Sequence, residues 1–499
     1  MLVAVPLALV AAASALALVR WPIRWAQALV WILVLQNAVV IAAWKASGST
    51  TLATDLLYAK EVIIAGGGAV AVVLALRGAL RRELTAVMWL ALAFGVLCAI
   101  WVPVSYLRHE HLEQIARGLR SLIYPVLLLG VGCLVLRTQE AALALRRTLL
   151  WAGALLGVSA VVERTFIPVQ FWVSINLQQY WVNARGESAV MLNGGLPWNF
   201  FLLFGHSVIR RAFGIMTDPL DLSYFLILPL ALGVAEICRA LTQRQPVSRL
   251  AMVASVTSAV GITFSLSRVP IAIGGGLAVV TPLVALGLAR GMWRRAGVAA
   301  VAAAAAFVVI LVLGVATSPT IGPGSLAALH PIGTPTAGVH ISSLLRATNW
   351  RPLTTGQGLG TAGYLSAKFA PSAQIAYENY YLDIAHQVGI LGALLMIGLL
   401  VLATLQLLLA RGSATLLSLS LPTGAVLGLL AVAAMLSGQL EVITSLGATM
   451  LFVGLMVSVT AKNVLQPGNV RNRLSELATS AVRQTKPTTG EVGGLADHD

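Results

Sequence analysis

Apolar runs of about 20 residues, the length a helix needs to cross a bilayer, recur thirteen times along the chain. They cover roughly residues 1–19, 26–44, 60–76, 85–104, 119–136, 147–163, 219–238, 250–266, 269–289, 296–316, 380–409, 417–437 and 443–461. The pattern predicts an all-α polytopic membrane protein of about 12–13 transmembrane helices. The runs fall into three groups, N-terminal (1–163), central (219–316) and C-terminal (380–461). Longer polar segments at 164–218 and 317–379 separate them, the second being a large loop before the third-last helix. From 462 the chain is polar, rich in Pro, Thr and Gly, and reads as a disordered tail. In the first run Arg20 follows the apolar stretch instead of preceding it, which is the reverse of a secretory signal and predicts an uncleaved anchor.

Composition agrees: 58% of the 499 residues are hydrophobic and 10% charged, against about 25% charged in a soluble domain. A net charge of +15 in such a chain concerns topology, because no basic, aromatic-interleaved soluble segment is present to hold nucleic acid. Of the 33 Lys and Arg residues, 20 fall in one alternating set of loops and the tail, in short basic turns such as RGALRR at 77–82 and ARGMWRR at 289–295. The positive-inside rule makes that set cytoplasmic. Both long loops, 164–218 and 317–379, and the turn at 267–268 are then extracytoplasmic, and the C-terminus is cytoplasmic. Cys98, Cys133 and Cys238 lie in or beside apolar runs without metal-ligand spacing, and the seven histidines form no paired motif, so no metal or other cofactor is expected.

Four polar features converge on the extracytoplasmic side. RRAFGIMTDPLDLSYF at 210–225 carries Arg210 and Arg211 ahead of a helix that Asp218 can cap and Pro219 can open. TFSLSRVP at 263–270 puts Arg268 at a hairpin tip among Thr263, Ser265 and Ser267. The third loop holds Arg346, Trp350, Arg351 and GQGLG at 356–360, whose glycines would let backbone approach a ligand closely; no strand precedes it, so it is not a dinucleotide fingerprint. The fourth is the helix mouth ENYYLD at 378–383, where Glu378 and Tyr381, and Asn379 and Asp383, are helical neighbours. Arg117 and Arg120 begin the fifth span and share a helix face. Each feature also has a plain reading, as an interfacial arginine snorkelling to headgroups or an acid capping a helix. Taken together, several arginines suit a phosphate or diphosphate, which guanidinium binds bidentately, and a nearby carboxylate suits deprotonation of a hydroxyl.

The ordered set RAFGIMTDPLDLSYF, TFSLSRVPIAIG, LTTGQGLGTAG and ENYYLDIAHQVGILG, within about residues 200–400, resembles the O-antigen ligase and polymerase superfamily of bacterial inner-membrane glycosyltransferases. The resemblance implies metal-independent, inverting transfer of a polyprenyl-diphosphate-linked oligosaccharide to a glycan acceptor hydroxyl on the extracytoplasmic face. It also implies a large loop over the site, and a chain-length regulator or other assembly protein as a partner. By position, Arg211 and Arg268 match the family arginines that hold the diphosphate; from the residues themselves, Arg346 or Arg351 would assist, Arg117 and Arg120 would join the basic pocket, and Asn379 and Tyr381 would lie beside the substrate. Ligases of this family carry a His-Asn pair where this chain has Glu378 and Asn379. Glu378 is therefore expected to be the general base, and the departure points toward polymerisation of repeat units. A ligase transferring finished glycan to a lipid or protein, and a polysaccharide or lipid transporter, are the alternatives.

Overall fold

The computed structural model describes residues 4–81, 84–175, 177, 180, 192–193, 196–197, 200–204, 207–288, 292–317, 320–321, 350–362, 379–435 and 443–464. The helices are α1 (Ala4–Arg20), α2 (Pro22–Ser47), α3 (Thr50–Leu80), α4 (Ala86–Leu107), α5 (Leu112–Val131), α6 (Gln139–Phe166) and the short α7 (Val169–Ser174). After a loop region come α8 (Pro219–Gln243), α9 (Arg249–Phe264), α10 (Arg268–Pro282) and α11 (Trp293–Ala316). The C-terminal part holds α12 (Trp350–Thr355), α13 (Tyr380–Val388), α14 (Ile390–Leu408), α15 (Ala414–Ala433) and α16 (Ile443–Val464). Among the described residues ten helices are long and apolar enough to cross a membrane. Three shorter apolar stretches, Leu7–Arg20, Arg249–Phe264 and Leu446–Ala461, complete the thirteen. The protein is an all-α polytopic membrane protein.

The two largest departures from the expected bounds concern α3 and the run at 380–409. α3 starts at Thr50, ten residues before its apolar run, because the Ser49 hydroxyl caps it by accepting from Leu52 N (3.2 Å). The run at 380–409 is two helices, broken at Gly389, whose φ of 82° and ψ of 168° only glycine readily adopts. The crossing helix is α14, and α13 is a separate nine-residue element before it.

Small residues set the packing, as they do where lipid removes the hydrophobic drive between helices. Gly66, Gly67 and Gly68 of α3 face Ala11 of α1, Trp25 of α2 and Leu127 of α5 in turn. Gly157 of α6 meets the Thr257 backbone of α9, and Gly454 of α16 meets the Leu129 backbone of α5. Prolines sit inside α4, α5, α8, α10 and α15; beyond Pro282, α10 continues as a π-helical turn, Leu283–Leu288.

α8 defines two ends of the bundle. Asp218 caps its start, and Arg239 lies about 31 Å further along at 1.5 Å per residue. At the Arg239 end the first turns of α15 line a shared cleft with it, so the last turn of α15 points back toward the Asp218 end. At that end a small second core, separate from the main one, gathers Val40, Ile41 and Trp44 of α2, Ala53 of α3, Trp172 of α7, and Tyr180, Phe200, Phe201 and Phe213. The strands β1 (Leu192–Asn193), β2 (Leu196–Pro197), β3 (Phe201–Phe204), β4 (Ser207–Arg210) and β5 (Thr320–Ile321) form two antiparallel patches, β1 with β2 and β3-β4-β5. In the second, Phe201 pairs with Arg210, and Val208 with Ile321.

Candidate functional site

The chain from Arg210 to Ile215 is fastened residue by residue. The Arg210 guanidinium pairs with the Glu163 carboxylate, both nearly fully buried, and donates to Ile167 O (2.6 Å). Arg211 N donates to Phe200 O (2.9 Å) and Ala212 N to Phe264 O (2.9 Å). Phe213 N donates to the other Glu163 oxygen (3.1 Å), and Ile215 N to the Ser159 hydroxyl (3.4 Å). Phe213 stacks obliquely on Phe200 and Trp172, with centroids 4.3 and 4.9 Å away. The C-terminal turns of α6, with Ser159, Glu163 and Arg164, thus act as a rack for this segment. Arg164 extends the rack by donating to Phe264 O (3.1 Å) and Gly314 O (2.7 Å), which joins the ends of α6, α9 and α11.

Arg211, in the middle of the rack, turns toward the α9–α10 hairpin. Its Nε donates to Ser265 O (2.8 Å) and its Nη2 to the Ser267 hydroxyl (2.6 Å). Leu266 between those serines is left-handed (φ 50°), which presents the Ser265 carbonyl and the Ser267 hydroxyl to the same guanidinium. Thr217, just before the cap, is left-handed too (φ 59°). Two of the four described non-glycine residues with positive φ therefore border this site; such strain persists where surroundings over-determine it and clusters at functional sites. Ser267 also reaches Pro219 O (3.5 Å), at the start of α8.

Arg211 and Arg268, 57 positions apart in the sequence, come together here. Burial lowers the Arg211 pKa to about 10; Asp218 pulls it up and Arg268 pushes it down. At neutral pH Arg211 stays charged, a buried cation facing an exposed one at the N-termini of α8 and α10. Asp218 Oδ1 accepts from Leu220 N (2.8 Å) and Asp221 N (3.4 Å). The site is thus a buried guanidinium, an exposed one, the Asp218 carboxylate and the positive ends of two helix dipoles, an arrangement that can attract a multiply charged anion.

The other expected site residues divide. Glu378 and Arg346 lie outside the described residues. Asn379 caps α13, its Oδ1 accepting from Tyr381 N and Leu382 N (both 3.1 Å) while its Nδ2 donates to Met435 O (3.0 Å). The Tyr381 hydroxyl donates to Ala431 O (2.7 Å). Both residues fasten α13 to the end of α15, and α15 packs along α8 and α10. That chain of contacts places the start of α13 at the Asp218 end of the bundle.

The GQGLG glycines approach protein, not open space. Gln357 N donates to His386 O (2.6 Å), Gly358 N to Gln387 O (3.1 Å) and Gly360 N to Gln387 Oε1 (2.8 Å). The loop thereby satisfies carbonyls left open where α13 stops. On its other side Arg108 donates to Gly356 O (3.0 Å), the Ser105 hydroxyl accepts from Leu359 N (2.9 Å), and Gln114 donates to Gly360 O (3.2 Å). Gly356 and Gly360 are both left-handed (φ 75°). Arg351 is exposed on α12, just before this loop. Arg120 pairs with Glu61 of α3 and Arg117 with Glu113, each at 2.5 Å. The structure therefore unites Arg211 with Arg268 and gives Arg117 and Arg120 carboxylate partners.

Sequence reasoning missed Glu163, Arg164 and Arg108; an acid beside a base at the end of an apolar run, ERTF at 163–166, was the available signal. Among the described residues no three His, Cys, Asp or Glu side chains are placed to hold a metal ion. No protein-family model matches the chain, and no curated protein matches it.

Proposed function

We propose that this protein is a membrane glycosyltransferase of the O-antigen ligase and polymerase type. It extends polyprenyl-diphosphate-linked saccharides on the face where α8 and α10 begin. The observation that carries this reading is that Arg211 bonds Ser267, the residue before Arg268, where α8 and α10 begin, so that two cations come near each other there. A lipid-linked diphosphate is the anion whose headgroup lies at that depth while its tail stays in the bilayer. The basic loops at the other end favour an extracytoplasmic Arg211 face and a cytoplasmic C-terminus, in a bacterial inner membrane.

In this reaction the acceptor hydroxyl loses its proton to Glu378, which precedes the Asn379 cap of α13. The hydroxyl oxygen attacks the anomeric carbon, the bond from that carbon to the diphosphate oxygen breaks, and the configuration inverts. Arg211 and Arg268 stabilise the charge that grows on the leaving diphosphate. Glutamate in place of the ligase histidine favours polymerisation.

The test is incubation of purified protein with a polyprenyl-diphosphate oligosaccharide, with and without EDTA, followed by mass analysis of the lipid fraction. Products longer by whole repeat units, unaffected by EDTA, are expected. Glycan appearing only on an added lipid or protein acceptor would identify a ligase instead, and movement of intact substrate across the bilayer a transporter.

A further inference from the structure

The end of α8 opposite Arg211 carries a second polar feature that glycosyl transfer does not use. A cleft of about 190 Å³ is lined by Ala235 and Arg239 of α8, Ala285 of the π-helical turn after α10, Gly412, and Ala414, Leu417 and Ser418 of α15. It is far larger than the about 10–15 Å³ that one water needs. Five of the seven lining residues are Ala, Gly or Ser, so much of the room comes from missing side chains. π-helical turns such as the one that supplies Ala285 occur frequently at functional sites.

The charge around the cleft does not cancel. Glu236 is shared by two guanidiniums, Arg146 (2.7 Å) and Arg239 (2.7 Å), so the triad keeps one positive charge. Arg239 is the member that lines the cleft. Its Nε and Nη2 are held by Glu236, while its Nη1 donates to two neutral amides, Gln243 (2.6 Å) and Gln245 (3.3 Å). Gln245 is exposed and Gln243 half-buried, so an anionic oxygen can replace either. Across the cleft, Ser418 Oγ donates to Thr415 O (2.8 Å) and can turn to a ligand instead. The N-terminus of the 20-residue α15 adds the positive end of its dipole.

We propose that this cleft binds the phosphate of an anionic phospholipid in the leaflet on the Arg239 face, with Arg239 Nη1 and Ser418 as its donors. The site is independent of the donor site, being about 31 Å away along α8, and stands whether or not the glycosyl-transfer reading does.

The test reconstitutes the full chain in nanodiscs of phosphatidylcholine with phosphatidylglycerol and counts retained lipids by native mass spectrometry after mild delipidation. Two variants are compared with the parent chain. Arg239→Gln removes the charge, and Ala414→Leu fills the cleft while leaving the whole triad in place. Phosphatidylglycerol should be retained by the parent over phosphatidylcholine, and each variant should lose about tenfold in that preference, the scale of one charge-assisted hydrogen bond. Retention unchanged in Ala414→Leu, or no preference in the parent, would overturn the proposal. A parallel arm adds inorganic phosphate alone: if millimolar phosphate displaces the lipid and protects the protein from heat equally well, the ligand is free phosphate and the lipid source is refuted.

Discussion

Replacing Glu163 with alanine should be among the most damaging single changes in the protein, and the reason is local. Glu163 and Arg210 are 2% and 3% exposed, and their ion pair has no water to fall back on. Alanine leaves the Arg210 guanidinium buried, with Ile167 O as its remaining described acceptor, and strips the acceptor from Phe213 N. Breaking a buried pair from one side costs about 3–5 kcal/mol, and an unsatisfied buried amide about 1–3 kcal/mol, the two overlapping because one carboxylate serves both. A net loss of about 3–5 kcal/mol is therefore expected, read from denaturant unfolding in micelles by tryptophan fluorescence. The double variant Glu163→Leu with Arg210→Leu removes both charges and should be less destabilised than either single change, because apolar pairs replace buried ion pairs at little cost. Arg211 stands between the two anchors, so Glu163→Gln, which keeps an acceptor for Phe213 N, should still weaken diphosphate binding. A coupling between positions 163 and 210 below about 0.5 kcal/mol in the double-mutant cycle would refute the rack.

Ser267→Ala removes one of the described acceptors for Arg211 and should weaken donor diphosphate binding by about tenfold, the scale of one charge-assisted hydrogen bond, without a large change in unfolding; isothermal titration reads it. Gly356→Ala places a methyl 2.7 Å from the Trp101 ring at a φ of 75° and should destabilise by more than the about 1 kcal/mol of the left-handed conformation alone, measured in the same unfolding assay. Asn379→Ala loses the α13 cap and should cost about 0.5–2 kcal/mol, with faster hydrogen exchange confined to α13 and the end of α15. Glu378→Gln should leave unfolding and donor binding unchanged and stop product formation; full product yield from that variant would remove Glu378 from the reaction.

The thirteen apolar runs were legible because lipid demands a length and an apolarity that few other constraints imitate. Among the described residues twelve of them fall on one helix each and the run at 380–409 on two. What the runs hid was the break at Gly389: Val388 and Ile390 are as apolar as any residue inside a span, so hydropathy carried no mark of two helices. The start of α3 at Thr50 was hidden for the opposite reason, since TTLATDLLYAK is helical through its cap and packing and not through uniform apolarity. Arg211 and Arg268 could be picked out singly, but their meeting depends on the α9–α10 turn folding back onto the start of α8. The glycines of GQGLG were legible as a place of close approach, and the partner turned out to be the open end of α13 and the flanks of α4 and α5. Glu163 and Arg164 looked like ordinary interfacial charges because their partners lie 47 and 100 residues away.

The two site arginines differ in a way that bears on mechanism. Arg211 is buried and held by two serines, so it loses little freedom when an anion arrives, whereas Arg268 is exposed at the first position of α10. Two like charges near each other raise the energy of the empty site, and a diphosphate lowers it most when its charge is largest, which is when the sugar has left. In the proposed reaction a buried, preorganised cation and an exposed one would then bind the leaving group more tightly than the intact donor. The α6 rack matters for the same reason: it is rigid at Arg210 and Phe213, on both sides of Arg211, and a guanidinium displaced by even 1 Å would forfeit this preference for the transition state.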